Sequence, residues 1–348
     1  MFSIRLTVAV ASIVWAWASM SIFDAVAREV YVNNILGDDL ADGRSDHYVD
    51  PRFGPVRTIR RALIIADKGD RIQIKNTGHT YRESISLSSG RQSGFPDLPF
   101  TIMSDGAVLD GTVPMRVNGW EHVEGDVFRY RPRRVAFQQL FLGDQPAGRK
   151  QLDHVAGLQQ GRGTLRSASR NDKKTIRAAF HGRKTWQQGE MASRLLGPLE
   201  WALLDGWIYF RVEPTELPSD YPLRCCGLQT GITLYHVHDV RIDGLVIRGF
   251  QLDGVSAHDG VRAAVVSATT CRDNGRSGMS AGGSSRLTID GCTLAGNGRS
   301  DVRIEGLARV KIAKTAIGAE RPNRIDVLGG QLRIDGKPWP LVDGAGVH

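Results

Sequence analysis

From Gly231 to Gly336 apolar and polar residues alternate in short bursts, and the bursts return about every 23 residues. One copy reads GITLYHVHDVRIDGLVIRGFQLD from Gly231 and the next GVSAHDGVRAAVVSATTCRDNGRS from Gly254. GMSAGGSSRLTIDGCTLAGNGRS follows from Gly278, DVRIEGLARVKIAKTAIGAERPN from Asp301, and a broken copy, RIDVLGGQLRIDG, from Arg324. Ile232, Val255, Met279, Val302 and Ile325 share one apolar column, with Leu234, Ala257, Ala281, Ile304 and Val327 two residues further on. That spacing is a strand with one face inside. Ile242, Val266, Ile289, Ile312 and Ile334 define a second strand, and Ile247, Cys271, Leu294 and Ile317 a third. Each copy therefore predicts three short strands separated by Gly, Asp and Asn corners. A single copy cannot bury its own apolar face, so the copies must stack around one continuous core. They lack the Leu/Asn spacing and helical segment of a leucine-rich repeat. The prediction is an all-β solenoid, a parallel β-helix with one triangular coil per copy.

The chain before the repeats predicts the cap of such a solenoid. Val30 to Val32 reads as a strand, and the loop Gly37 to Gly43 follows it. Ile59, Ala62, Leu63 and Ala66 share one helical face, with Gly69 as the stop. Laid across the open first coil, that helix would keep water out of the core. Arg71 to Ile74 is the next strand, and Ser84 to Gly111 adds coil-like strands with Ile85, Leu87, Ile102, Val108 and Leu109 as inward candidates. Then the register is lost. Between Asn118 and Arg224, the stretches Gly119 to His122, Phe141 to Asp144 and Trp201 to Val212 predict antiparallel strands and a hairpin. After the repeats, Pro338-Trp339-Pro340 cannot continue a hydrogen-bonded coil, and Trp339 is expected to plug the far end.

The run from Gly54 to Asp70, the strand Arg71 to Ile74 and Thr80-Tyr81 resemble the N-terminal cap and first coil of the right-handed parallel β-helix, or pectate-lyase-like, superfamily. The repeats from Gly231 resemble its right-handed β-helix repeat region, and together they cover about two-thirds of the chain beyond residue 27. The resemblance implies a right-handed solenoid with an N-terminal capping helix and an inserted antiparallel β subdomain, of carbohydrate-active type. It is specific for fold and weak for activity, since the superfamily spans polysaccharide lyases, glycoside hydrolases, epimerases and non-catalytic adhesive proteins. The expected organisation is a signal peptide over 1–27, cap and first coils over 28–117, the insert over 118–224, the repeats over 225–336 and a tail over 337–348.

Arg5, the apolar run Leu6 to Ile22 and Ala25-Val26-Ala27 have the pattern of a cleaved signal peptide, which predicts a secreted or periplasmic protein with no later membrane span. The net charge of +8 favours a polyanionic partner. Basic residues are scattered and neither a zinc-finger nor an RNP-like pattern occurs, so an acidic polysaccharide or oligosaccharide is expected rather than nucleic acid. The most basic piece, Arg149 to Lys184, reads equally as a polyanion-binding lid and as a solvated loop. Cys225, Cys226, Cys271 and Cys292 read as buried small apolar side chains. The cofactor is open; Asp38, Asp39 and Asp42 could bind calcium, although turn chemistry explains them more simply. His122, His154 and His181 lack metal-ligand spacing, and a monomer is expected.

Stacked coils set equivalent residues about 4.8 Å apart, so sequence columns become ladders in space. On the first strand of each copy the outward positions assemble Tyr235, His236, His258, Asp259, Arg303 and Glu305 around the small residues Ser280, Gly282 and Gly283. Two reactions suit such a groove. In β-elimination from a uronate, the preferred expectation given the basic charge, Arg303 would neutralise the sugar carboxylate, with His258 or Tyr235 as base and the other as acid. In glycoside hydrolysis, Asp259 and Glu305 would be the paired carboxylates. His236, Ser256 and Ser280 would hold substrate. A non-catalytic carbohydrate-binding or surface protein is the third reading. Asn274 and Asn297, one coil apart at a corner, predict a structural amide ladder.

Overall fold

A computed structural model describes residues 27–88, 90–133, 137–150, 152, 188–318 and 324–339. Residues 1–26 of the predicted signal peptide and most of the basic stretch Arg149 to Lys184, with His154 and His181, lie outside the described residues.

Three sheets of parallel strands build the solenoid. The first has nine strands, from Glu29–Val32 through His238–Asp243, Arg262–Ser267, Arg286–Asp290 and Arg309–Ala313 to Gln331–Ile334, closed by the short antiparallel strand Lys337–Pro338. The second has five strands, Val108–Asp110, Val246–Arg248, Thr270–Arg272, Thr293–Ala295 and Ala316–Ile317. The third has six, Ile85–Leu87, Ile232–Tyr235, Asp253–Asp259, Ser277–Ala281, Ser300–Ile304 and Ile325–Val327. The chain visits them in the order first, second, third and returns to the first one rung on.

The sequence columns are files in space. Ile232 pairs with Val255, Val255 with Met279, Met279 with Val302 and Val302 with Ile325. The file through Ile242, Val266, Ile289, Ile312 and Ile334 and the file through Ile247, Cys271, Leu294 and Ile317 hold in the same way. Together they form one continuous buried core from Val30 to Leu332. A core built this way needs many coils, because each rung covers only its neighbour.

The corner between the second and third sheets carries the amide ladder. Asn274 and Asn297 are 0% and 1% exposed, and Asn274 Nδ2 donates to Asn297 Oδ1 at 3.1 Å. Asn274 Oδ1 accepts from the Phe250 amide, and Asn297 Oδ1 from the Asn274 amide, so buried corner N–H groups are satisfied rung by rung.

The cap helix is Ile59–Ile65, with Ile59, Ala62 and Leu63 buried in the core. Thr58 caps it by accepting from Arg61 N, and both carboxylate oxygens of Glu83 accept from the Ile59 and Arg60 amides. The helix stops earlier than Gly69: Ala66 is already extended, and Gly69, at φ +80, turns the chain into the next strand. The aspartates of the loop before it are engaged with backbone donors. Asp39 accepts from the Arg57 and Thr58 amides, Asp38 from Leu40 and Asp42 from Arg44. That is turn and capping chemistry.

Two further expectations need correction. Val108 faces outward and is partly exposed, leaving Leu109 as the inward residue. Trp339 does not plug the solenoid. Asp335 and Gly336, both at positive φ, fold the last strand back on itself, and Trp339 is left 42% exposed beyond the hairpin. The four cysteines are buried and unpaired, and burial pushes the Cys225 thiol up to about 12.

The insert leaves at the corner between the second and third sheets. Thr112–Pro114 pairs antiparallel with Leu223–Cys226, which in turn pairs with Leu140–Leu142, so the exit and return strands form a stalk. Beyond it stands a five-stranded sheet that includes the antiparallel hairpin Glu200–Leu204 and Trp207–Arg211, with a core of its own around Trp201 and Phe210. The stalk costs the solenoid no register: Ile232 pairs with Ile85 across the whole excursion.

Two contacts pin the insert to the coils. Arg248, 6% exposed, donates to Asp110 Oδ2 at 3.1 Å within its own sheet and to Asp144 Oδ1 at 2.7 Å in the insert. Phe137 and Gln139 run past the next two corners. A Cβ on Gly275 would sit 1.7 Å from the Phe137 carbonyl oxygen, and Gln139 Nε2 donates to the Gly296 carbonyl at 3.2 Å. Glycine at 275 is thus a condition of docking. The insert stands along the edge of the third sheet.

Candidate functional site

The outer face of the third sheet carries every residue proposed from the sequence, and divides them into two groups. The division begins with a bulge. Leu234 pairs with Ala257 but Tyr235 pairs with Asp259, so His258 is an extra residue with no opposite number. Alignment by period sets Tyr235 beside His258; the bulge lifts His258 out of the ladder instead.

The first group lies at the corner leading to the first sheet. The rings of Tyr235 and His236 meet edge to face at 4.3 Å between centroids, and His258 leans on Tyr235 at 5.8 Å. All three are exposed, Tyr235 by 42%. Asp259 is tied down beneath them. Its Oδ1 accepts from the Ser284 amide at 2.9 Å and the Gly260 amide at 2.8 Å, and these bonds hold its carboxyl below the ordinary value, helped by His236. Gly283 and Gly260 make room for this: added Cβ atoms would meet Asp259 Oδ1 at 1.8 Å and His236 Nδ1 at 2.2 Å. Asp259 is therefore a corner brace, with its acceptor capacity directed at backbone.

The second group runs along the strands nearer the insert. Ser280 Oγ lies 3.0 Å from Ser256 Oγ and 2.8 Å from Asp253 Oδ2, and both serines are buried. Asp253, fully buried, also accepts from Ser277 and takes a two-pronged bond from Arg276, Nε to Oδ1 at 2.9 Å and Nη2 to Oδ2 at 2.5 Å. Those bonds raise the Arg276 pKa, with Glu305 adding to the effect from the face beyond. One rung further, Arg303 Nε donates to Glu305 Oε1 at 2.7 Å and Nη1 to Asp326 Oδ2 at 3.3 Å. The Arg303 side chain is 12% exposed, that of Asp326 22% and that of Glu305 45%. Arg299 Nε stands 3.6 Å from the same Asp326 oxygen.

The structure thus brings Tyr235, His236 and His258 together, Ser256 and Ser280 together, and Arg303 and Glu305 together. It does not bring Asp259 to Glu305 as a pair: they sit two coils apart, and Asp259 is occupied by the Ser284 corner. Arg303 is not a free cation, since two carboxylates already share it. Sequence reasoning passed over Asp253, Arg276 and Asp326 as site residues. Their signal was present: Asp253 and Arg276 are opposite charges one repeat apart, as are Arg303 and Asp326.

Chemically the second group offers a pair of carboxylates, Glu305 and Asp326, fixed on one guanidinium and facing solvent. Two residues along a strand and one rung across place their Cα atoms about 8 Å apart. Both carboxylates are bound to one guanidinium, and a pair of carboxyl groups is what glycoside hydrolysis requires. Among the described residues no cluster of three or more His, Cys, Asp or Glu has the arrangement of a metal site. A cavity of about 270 Å³, lined by Tyr31, Asn33, Asp46, Gln73, Lys75 and Asn76, opens beside the N-terminal cap and includes none of these groups.

Residues 226–322 match the family described as the right handed beta helix region. No curated protein matches the chain in sequence. Among solved structures, one described as a glycoside hydrolase superposes with a TM-score of 0.55 at 12% identity, over 88% of this chain and 77% of that one. A complex of XylC with xylose aligns at 13% identity over 82% of this chain and 58% of that one, TM-score 0.46. Pectate lyase Pel9A aligns at 10% identity over 92% and 82%, TM-score 0.30. The family match and the first superposition establish the chain as a right-handed parallel β-helix.

Proposed function

We propose that this right-handed parallel β-helix acts on an acidic polysaccharide, hydrolysing a glycosidic bond on the outer face of its third sheet. The reading rests on one observation: Glu305 and Asp326 are held on Arg303 at the open side of that face. In the proposed reaction Glu305, the more exposed of the two, acts in its protonated form: Oε1 keeps its bond from Arg303 while the Oε2 hydroxyl gives its proton to the leaving oxygen. Asp326 activates the water or attacks the sugar directly. Tyr235, His236 and His258 lie along the same face within reach of neighbouring sugar units. The basic charge of the chain supports an acidic polymer as substrate.

Elimination is the second reading, favoured by the exposed contact between Tyr235 and His258. It needs a cation to neutralise the uronate carboxylate, and Arg276, Arg299 and Arg303, the described arginines of this group, all stand against carboxylates. Incubation with a panel of uronate polymers separates the two. Hydrolysis releases reducing ends without near-ultraviolet absorbance, whereas elimination produces an absorbing unsaturated uronate. Glu305→Gln is expected to lower kcat by about a hundredfold or more while leaving the protein folded. Unchanged turnover in that variant, or product absorbance from the wild type, would sink hydrolysis. Ligand retention with neither product would leave a binding protein.

A further inference from the structure

The first sheet presents a face that the proposed reaction does not use. Its outward positions near the strand starts are Arg262, Arg286 and Arg309 on successive rungs. Arg286 pairs directly with Arg309, and the Arg262, Arg286 and Arg309 amides make equivalent bonds to the rung before, to Val237, Val261 and Ser285. Two residues along the strand, Lys311 pairs with Arg333, and Arg241 lies in the same row three rungs back. All six side chains are exposed, and none has a carboxylate partner among the described residues. Asp243 and Asp290 stand at the opposite ends of their strands, where Asp243 accepts from Ser267, and Asp239, at the near end one rung before Arg262, is engaged with His238.

A stack of like charges at the rung spacing of about 4.8 Å repels itself, and a fold gains nothing from it. Register holds the three arginines next to one another, because parallel in-register strands put equivalent positions side by side. Such a file is best matched by a polymer whose negative charges recur at a similar pitch. An extended polyuronate carries one carboxylate on each sugar ring, and the length of one ring is close to one rung. Single-stranded nucleic acid fits less well, since the outward positions between the cations are Val265 and Thr288 and offer no aromatic ring for a base to stack on. An anionic lipid surface fits less well too, because the exposed apolar side chains nearby, Leu307 and Trp339, stand at the margins of the file rather than between its cations.

We infer that the outer face of the first sheet is a binding track for acidic polysaccharide, with Arg262, Arg286 and Arg309 as its central file and Lys311, Arg333 and Arg241 beside it. The track lies on a different sheet from Glu305 and Asp326, and its binding holds whether or not those residues hydrolyse a glycosidic bond.

The test is a titration of the full chain with polygalacturonate, a neutral glucan, a single-stranded oligonucleotide and vesicles of anionic phospholipid, each at low and at moderate salt. Polygalacturonate is expected to bind tightest, with affinity that falls as salt rises. The double variant Arg286→Ser/Arg309→Ser is expected to bind it about tenfold more weakly or worse, with a shallower salt dependence. The double variant is expected to keep wild-type turnover of a short oligosaccharide. Wild-type affinity in the double variant overturns the track. Tighter binding of the oligonucleotide or the vesicles overturns its ligand.

Discussion

The two outer faces of this solenoid are built on the same rungs and treat positive charge in opposite ways. On the third sheet Arg276 grips Asp253, Arg303 is shared by Glu305 and Asp326, and at the corner Arg324 is locked against Asp301. On the first sheet Arg286 faces Arg309 and nothing described compensates either. Only the third sheet is also walled, by the insert that runs down its edge. In-register stacking makes every outward column a choice between repeating a charge and alternating it. Alternation fixes side chains in place, which suits chemistry on a single bond. Repetition leaves them free and mutually repelled, which suits a long partner held by many weak contacts.

The contrast breaks most sharply where compensation is buried. Asp301 is 0% and Arg324 8% exposed, and Asn297 donates to the same carboxylate at 2.7 Å. Asp301→Ala strands a buried guanidinium and is expected to lower unfolding free energy by about 3–5 kcal/mol, read from urea denaturation. Next comes the wall. Gly275→Ala forces a methyl against the backbone carbonyls of Phe137 and Gln251, with an expected cost of about 1–3 kcal/mol and faster proteolysis of the insert than of the coils. A loss confined to the coils would place the strain elsewhere.

Asp259 sharpens the comparison through pH. Its folded pKa lies below the ordinary value, so it stabilises the fold fully above that ordinary value, and the contribution disappears as pH falls through the lowered one. Asp259→Asn is expected to flatten the acid side of a plot of denaturation midpoint against pH and to leave the neutral side level. An unchanged acid limb would show that the Ser284 and Gly260 amides do not depend on the charge. The smallest effect belongs to the first sheet. Arg286→Gln removes a repelled charge and no contact, and thermal unfolding is expected to move by no more than the equivalent of about 0.5 kcal/mol, toward greater stability. A large loss there would reveal a partner for Arg286 in the folded chain.

Much of this was legible as text. The apolar files, the amide ladder at Asn274 and Asn297 and the hairpin through Trp201 and Trp207 all follow from periodicity and corner chemistry. What escaped has physical reasons. A period cannot register one surplus residue, so the bulge at His258 shifted Tyr235 onto Asp259. Outward residues read from a column come without the neighbours that long side chains reach, and so Arg303 looked free when Glu305 and Asp326 already held it. Trp339 looked like a plug because bulk was visible and the reversing turn at Asp335-Gly336 was not. The file of Arg262, Arg286 and Arg309 was written at repeat spacing all along, in a strand whose inward residues drew the attention.

The stalk that interrupts the second coil also sets a clock on biosynthesis. Ile85–Leu87 emerges from the ribosome long before its neighbour Ile232–Tyr235, because everything from Thr112 to Gly231 is translated in between. At ordinary elongation rates that is on the order of ten seconds during which a nascent edge strand waits with its hydrogen-bonding groups unsatisfied. An insert able to fold on its own core in that interval would arrive as a finished block, and the remaining coils would then wind on against it.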